Sequence, residues 1–278
     1  MADSILEKWD KLKLTDAEQA EVLIDLSADG IAFRRGTLCL LGLVVADKVV
    51  NKEAFKATMV QIWKIRGGVQ FKGVGTNLFL IEFQNSSDIA KVKLGRPWQF
   101  DRNLICLEDY NGLIAPGEMV FDKEPMWVQM HNIPLGGMTR RVGRNIGELV
   151  GEVLEVDVDK EGVGWGPYLR VNISVNITKP LMRGVVSSFN GNRVWIPFKY
   201  ERLPFFCFSC GIIKHGAAGC EKMTQMRSMH GNEEFQYGAW LRASYQKHPN
   251  RDVPGGLAGE GGNPVSNAGR KGDDEDVA

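Results

Sequence analysis

The sequence lacks the features that announce several large classes of protein. It carries no net charge, with 34 Lys and Arg against 34 Asp and Glu, so no global field draws it onto a polyanion. No apolar run approaches the roughly 20 residues that cross a bilayer, which argues against an integral membrane protein. Met1 to Asp10 is polar and holds no apolar signal core. We therefore expect no secretion and no membrane partner, and the sequence marks no compartment, nucleus or cytoplasm, for an intracellular chain. There are only five cysteines, an odd number, so a disulfide framework is not expected. There is no phosphate-cradling G-x-x-x-x-G-K-[ST] loop, no G-x-S-x-G elbow and no H-E-x-x-H helix. Gly162-Val-Gly-Trp-Gly166 is glycine-rich but lies between two strand-like runs, as a hairpin loop would. No catalytic residues stand out, and a non-enzymatic protein is expected.

What is present is ordinary for a folded chain, with 44% apolar and 24% charged residues. The neutral total hides an uneven spread. Residues 201–251 carry 7 basic and 4 acidic side chains, whereas residues 252–278 carry 2 and 6. The one basic excess of any size therefore falls around residue 210.

Three of the five cysteines fall in the same place. Cys207, Cys210, His215 and Cys220 give the spacing C-x2-C-x4-H-x4-C. Zinc takes four such ligands in a tetrahedron, with Zn–S near ~2.3 Å and Zn–N near ~2.0 Å. Two cysteines separated by two residues can clasp one metal through a tight turn. Gly211 lets that turn close without a Cβ clash. So short a segment builds no core of its own, and an apparent zinc-binding energy of about 10–16 kcal/mol is the available term large enough to order it. Four ligands close the shell, so one structural Zn²⁺ is expected. Cys39 and Cys106 sit in apolar runs and are expected in the core. His131 follows an apolar strand and has no cysteine nearby, as is also true of His230 and His248.

The segment resembles the zinc knuckle of retroviral and retrotransposon Gag-type nucleocapsid proteins. That resemblance implies binding of unpaired nucleic acid, with an exposed base, often guanine, stacking on an aromatic and an aliphatic side chain. The matching positions are Phe208 and Ile213. Where the family usually has glycine before the histidine, this chain has Lys214. Arg202, Lys214 and Lys222 are the candidate phosphate contacts, with Arg227 further on. So few cations imply a shallow salt dependence, near −0.7 in slope per neutralised phosphate.

Upstream, the pattern predicts an α+β chain. In the N-terminal arm (1–35), Thr15 and Glu18 form a capping box that starts a helix through about Asp25. Residues 36–110 read β-α-β-β-α-β, a ferredoxin-like, RRM-like order. The strands are Leu38–Val45, Val69–Val74, Leu78–Phe83 and Asn103–Glu108. The helices are Lys52–Ile65, with Phe55, Met59, Ile62 and Trp63 as its stripe, and a second one capped by Ser86 or Ser87. Phe79, Ile81 and Phe83 share the face expected under the helices. Leu78 and Leu80 share the other, where an RNA-recognition motif would show aromatics.

Residues 111–124 read as a linker. Residues 125–203 form a second, smaller α+β unit. It has strands Met126–Met130, Val153–Val158 and Leu169–Ile177, a helix over Met138–Val150, and a hairpin turning at Asn190-Gly191. On that helix Val142, Ile146, Leu149 and Val150 point inward and Arg140, Arg141 and Arg144 outward. The zinc knuckle (204–222), a short extension (223–248) and a disordered acidic tail (249–278) follow.

This stretch resembles the plant domain of unknown function that precedes a C-C-H-C knuckle, in proteins related to the first reading frame of LINE-type retrotransposons. The likeness is carried by Gly75-Thr-Asn-Leu-Phe-Leu80, Gly95-Arg-Pro-Trp98 and Tyr237-Gly-Ala-Trp-Leu-Arg242, with the run from Met126 through the knuckle. Two functions are expected. One is a zinc-dependent nucleic-acid-binding protein favouring single-stranded RNA or DNA through the knuckle. The other is an interaction or self-association scaffold in which the knuckle is only a staple.

Overall fold

Strand β1 (Cys39–Val44) is apolar on both faces because both are covered, and it lies at the centre of the first sheet. The structure is a computed structural model that describes residues 13, 15–20, 38–215, 219–220 and 235–244. The expectations for the helix beyond residue 20, for Lys222 and Arg227, for His230 and His248, and for the acidic tail lie outside the described residues. Within them, residues 16–19 form a turn in which the Thr15 amide and hydroxyl both donate to the Glu18 carboxylate, at 2.7 and 2.8 Å, and the Glu18 amide donates to the Thr15 carbonyl at 3.0 Å; the return bond of a capping box, from the Glu18 amide to the Thr15 hydroxyl, is not made.

The first sheet is antiparallel in the order β2-β3-β1-β5-β4, where β2 is Val69–Gly75, β3 Leu78–Phe83, β4 Trp98–Phe100 and β5 Asn103–Asp109. Helix α1 (Lys52–Trp63) follows β1, and α2 (Ser86–Leu94) follows β3. Strand β4 is an added edge, too short to give a period in sequence. Phe55, Met59 and Trp63 of α1 and Ile89 and Val92 of α2 pack on Phe79, Ile81 and Phe83. Ile62 is 39% exposed and stands outside the stripe. The cap of α2 is Asn85, not Ser86 or Ser87. Asn85 keeps an extended backbone and its side chain accepts from the Asp88 amide at 2.8 Å, while both serines are already helical.

Asp88 shows why that helix start matters. Its buried carboxylate accepts from the amides of Gly67 (2.9 Å) and Arg66 (3.3 Å) and from the Asn85 side chain (2.9 Å). The Gly67 amide foremost holds the carboxyl below its ordinary 3.8. A depressed folded-state pKa contributes stability above the unfolded value, and that stability is lost as pH falls through the folded one. Asp88→Asn is therefore expected to cost about 1–3 kcal/mol at neutral pH and to flatten the loss of stability below about pH 4. Denaturant midpoints measured from pH 7 down to 3 check both effects.

The second sheet is antiparallel in the order β7-β8-β6-β10-β9. Its strands are β6 (Lys123–His131), β7 (Gly151–Asp157), β8 (Tyr168–Asn176), β9 (Gly184–Phe189) and β10 (Asn192–Tyr200). The β9–β10 turn has Asn190 at φ 49° and Gly191 at φ 86°, the pair of left-handed residues that a tight hairpin requires. Helix α3 covers only Arg140–Gly147, with Thr139 as its cap, and buries Ile146. Leu149, expected inside, is 59% exposed because the helix ends before it.

The two sheets share a core. Leu41, Leu78, Leu104 and Cys106 of the first join Met126, Val128, Leu169 and Phe198 of the second in one apolar cluster, with Leu80 packed against it. The leucine face that an RNA-recognition motif would leave open is thus sealed. The segment read as a linker takes part in this: Phe121 is buried, and Glu124, wholly buried, accepts two 2.9 Å bonds from the Arg96 guanidinium. Burial acts to raise the Glu124 carboxyl. The parallel fork of two charge-assisted bonds from Arg96 opposes that rise.

Candidate metal centre

The knuckle begins as a continuation of β10. After Tyr200 the chain buries Leu203 and Phe206 in the shared core. It is tied to the first sheet where the Phe205 amide donates to the Arg102 carbonyl at 2.7 Å. A tight turn follows. The Gly211 amide donates to the Cys207 carbonyl (2.7 Å) and the Cys207 amide to the Ile212 carbonyl (2.9 Å). Gly211 sits at φ +80°, and a Cβ there would lie 2.3 Å from the Tyr237 ring. The glycine is needed both for the turn and for the close approach of the extension.

The turn brings Cys207, Cys210, His215 and Cys220 together, with one ligand atom from each lying within 4.8 Å of the others. Cys207 Sγ is 3.6 Å from Cys220 Sγ, and Cys210 Sγ is 3.5 Å from His215 Nε2. A tetrahedron with the bond lengths of zinc has S···S edges of about 3.8 Å and S···N edges of about 3.5 Å. Size and donor chemistry therefore fit one structural Zn²⁺ in a closed Cys₃His shell.

Two thiols of the cluster are perturbed in opposite directions. Burial opposes ionisation of Cys207, but hydrogen bonds from His215 and from the amides of Cys210 and Ser209 outweigh it and bring the thiol down to about 7. Burial and the neighbouring thiols push Cys210 the other way. Cys39 and Cys106 are both buried in the sheets, as expected, and burial foremost drives the Cys106 thiol far up. His131 ends β6 against the Tyr168 ring, 4.9 Å away, and takes no part in the cluster.

The remaining candidates separate. Phe208 is 36% exposed, with its ring 5.0 Å from that of Phe206. Ile213 is only 8% exposed and belongs to the core, so it offers no open partner beside Phe208. The Lys214 ammonium donates to the Phe121 carbonyl at 2.8 Å. The Arg202 guanidinium lies over Trp98, 4.8 Å from its centroid, and donates to the Gly95 carbonyl. Both cations are engaged within the fold because the knuckle is docked: the Lys214 amide bonds Ile177 (2.8 Å) and the Gly211 carbonyl accepts from Leu181 (3.0 Å). The spacing of the ligands carries no trace of that docking.

Phe205 carries no signal in the sequence, and the Tyr237–Arg242 run is marked there only as part of the family likeness. Phe205, 61% exposed, adds a second solvent-facing ring next to the buried Phe206. The Tyr237–Arg242 run closes over the site. Leu241 is fully buried, Ala243 bonds the Tyr200 carbonyl at 2.9 Å, and Arg242 donates to the carbonyls of Leu203 and Pro204. The alternation of small and aromatic residues around Trp240 marks the run without revealing where it folds back.

A protein of this organisation has known counterparts. Residues 35–118 match the family model described as a domain of unknown function, DUF4283, and residues 175–222 match the model described as a zinc knuckle. The second match starts in β8, so it includes the hairpin on which the knuckle is seated. A DUF4283 region followed by a CCHC knuckle is a plant-type arrangement, and a curated relative comes from Arabidopsis thaliana, the uncharacterized protein At4g02000. The two are 32% identical over 97 residues, which make up 34% of this chain and 31% of the relative. The chain thus spans about a third of the length of the curated relative it matches.

Proposed function

We propose that this is a zinc-dependent binding protein, not an enzyme, that takes single-stranded RNA or DNA at its knuckle in the manner of Gag-type proteins. The observation that carries this is Phe208, a half-exposed ring fixed beside a four-ligand cluster whose closed shell leaves no position for catalysis. An aromatic face is a sequence-tolerant platform for an unpaired base. The LINE-type, retrotransposon-related origin belongs to the same proposal and is supported by the order of a DUF4283 region and a knuckle. The ferredoxin-like reading of residues 36–110 is supported by the central strand order β2-β3-β1-β5 with a helix after β1 and after β3.

The test is a titration of guanine-containing single strands onto the zinc-loaded chain. Stacking contributes about 1–3 kcal/mol per base, so Phe208→Ala is expected to weaken binding by about 5- to 150-fold with zinc content unchanged. Equal affinity in Phe208→Ala and in Cys210→Ser would remove the proposal. A scaffold is the second reading, favoured by the internal engagement of Ile213, Lys214 and Arg202. It predicts concentration-dependent self-association in sedimentation, without nucleic-acid affinity.

A further inference from the structure

The cations on and around the second sheet differ in how they are engaged. Arg170 is spent internally, bonded to Glu201 and Asp157 and lying 3.7 Å over the Trp127 ring. Arg140, Arg141, Arg144 and Lys160 are different. Among the described residues none of them has a carboxylate within ion-pair distance. Three of the four, Arg140, Arg141 and Lys160, line one open cleft of about 510 Å³, together with Gly162 and a single acid, Glu161.

Their placement is costly for the fold. Arg140 and Arg141 occupy the first turn of α3, where the helix dipole disfavours positive charge, and that turn carries no acid. Helices α1 and α2 carry Glu53 and Asp88 there. Arg140 and Arg144 are also like charges one turn apart, a repulsive spacing. Among the described residues no carboxylate forms an ion pair with these arginines, and Glu161 is the single acid along the cleft.

The loop that carries Lys160 to Val163 along the cleft is tied down by hydrogen bonds and leads on to an exposed ring that is not itself part of the lining. The loop after β7 is zipped onto the segment leading into α3: Arg140 bonds the Gly162 carbonyl (3.0 Å) and Gly164 bonds the Met138 carbonyl (2.7 Å). Asp159 organises the loop, accepting from the amides of Glu161 and Val163 and from the Trp165 indole N–H at 2.8 Å. Those bonds, the Val163 amide foremost and the indole next, hold its carboxyl below the ordinary range. The indole is therefore pinned by its one polar atom while the residue remains 69% exposed. Trp165 is two positions from Val163, which lines the cleft.

We propose that this cleft is a second contact for single-stranded nucleic acid, with Arg140, Arg141 and Lys160 taking backbone phosphates and Trp165 stacking an unpaired base. Unpartnered cations beside a fixed, exposed aromatic are the combination that single-strand grooves use. The partner must be single-stranded, because the indole needs a base whose face is free. The inference rests on the nucleic-acid reading above and adds a site remote in sequence from the knuckle.

The test uses the full zinc-loaded chain and a 20-nucleotide oligo(dT), which lacks the guanine that the knuckle resemblance favours. Each phosphate neutralised on a single strand contributes about 0.7 to the slope of log affinity against log salt. Arg140→Gln/Arg141→Gln should lower that slope by about 1.4 and weaken binding at least tenfold. Its melting temperature should stay level or rise, since the dipole conflict is removed. Lys160→Gln should shift the slope in the same direction, and Trp165→Ala should weaken binding about tenfold with little change in slope. Unchanged affinity and slope in the arginine variant, while Cys210→Ser loses binding, would overturn this site and leave the knuckle reading standing. Equal competition by a duplex, with Trp165→Ala silent, would also overturn it. A native chain that binds neither oligo(dT) nor guanine strands would remove both proposals.

Discussion

Zinc-loaded protein is expected to carry one metal ion per chain and to lose more than its knuckle when that ion is removed. The four ligands are drawn from residues whose neighbours, Phe206, Ile213 and the clamping Leu241, belong to the same apolar cluster as the second sheet. Zinc contributes about 10–16 kcal/mol in isolated finger peptides. Part of the ordering here is supplied by burial, so the net loss should be smaller. A loss of about 5 kcal/mol lowers the melting temperature by about 10–20 °C for a chain of this size. Chelation and Cys210→Ser should each show that drop, with faster proteolysis between Leu203 and Arg242. Phe208→Ala should not, because its ring is half-exposed and is not a ligand. A metal-free protein with an unchanged melting temperature would mean that packing alone orders the segment.

Arg96→Met is expected to be among the most damaging single substitutions. It leaves the Glu124 carboxylate at 0% exposure without its counter-ion. Removing one partner of a buried pair costs about 3–5 kcal/mol, whereas replacing both by apolar groups of similar volume is often neutral or better. Arg96→Met/Glu124→Leu should therefore recover most of the loss. A double-mutant cycle in denaturant measures the coupling directly. Arg96 precedes β4 and Glu124 lies in β6, so the pair spans the two sheets. The single variant should uncouple them into separate unfolding transitions. A cost below about 1 kcal/mol would show that water reaches the carboxylate.

Legibility in the sequence followed the range of the interaction. The metal ligands and the Asn190-Gly191 turn are set by residues within a few positions of each other, and both are readable. The aromatic stripe of β3 was readable too, because strand period separates Phe79, Ile81 and Phe83 from Leu78 and Leu80. What covers the leucines was not, since period assigns faces but names no partner. Phe121 and Glu124 were hidden among glycine, proline and charged residues that spell a loop, and only the position of Arg96 explains them. Ile213 matched a base-contacting position by spacing, yet the neighbouring sheet claims it. Leu149 failed for a local reason: the apolar period runs past the point where α3 ends.

The docking of the knuckle has a thermodynamic consequence. A metal-bound bead on a loose tether samples many orientations and must surrender that freedom when it engages a ligand. Here backbone bonds to Ile177 and Leu181 fix the unit in one attitude during folding. Immobilisation is thus completed before any encounter, and under the proposed function a larger share of a contact to Phe208 would be retained as affinity.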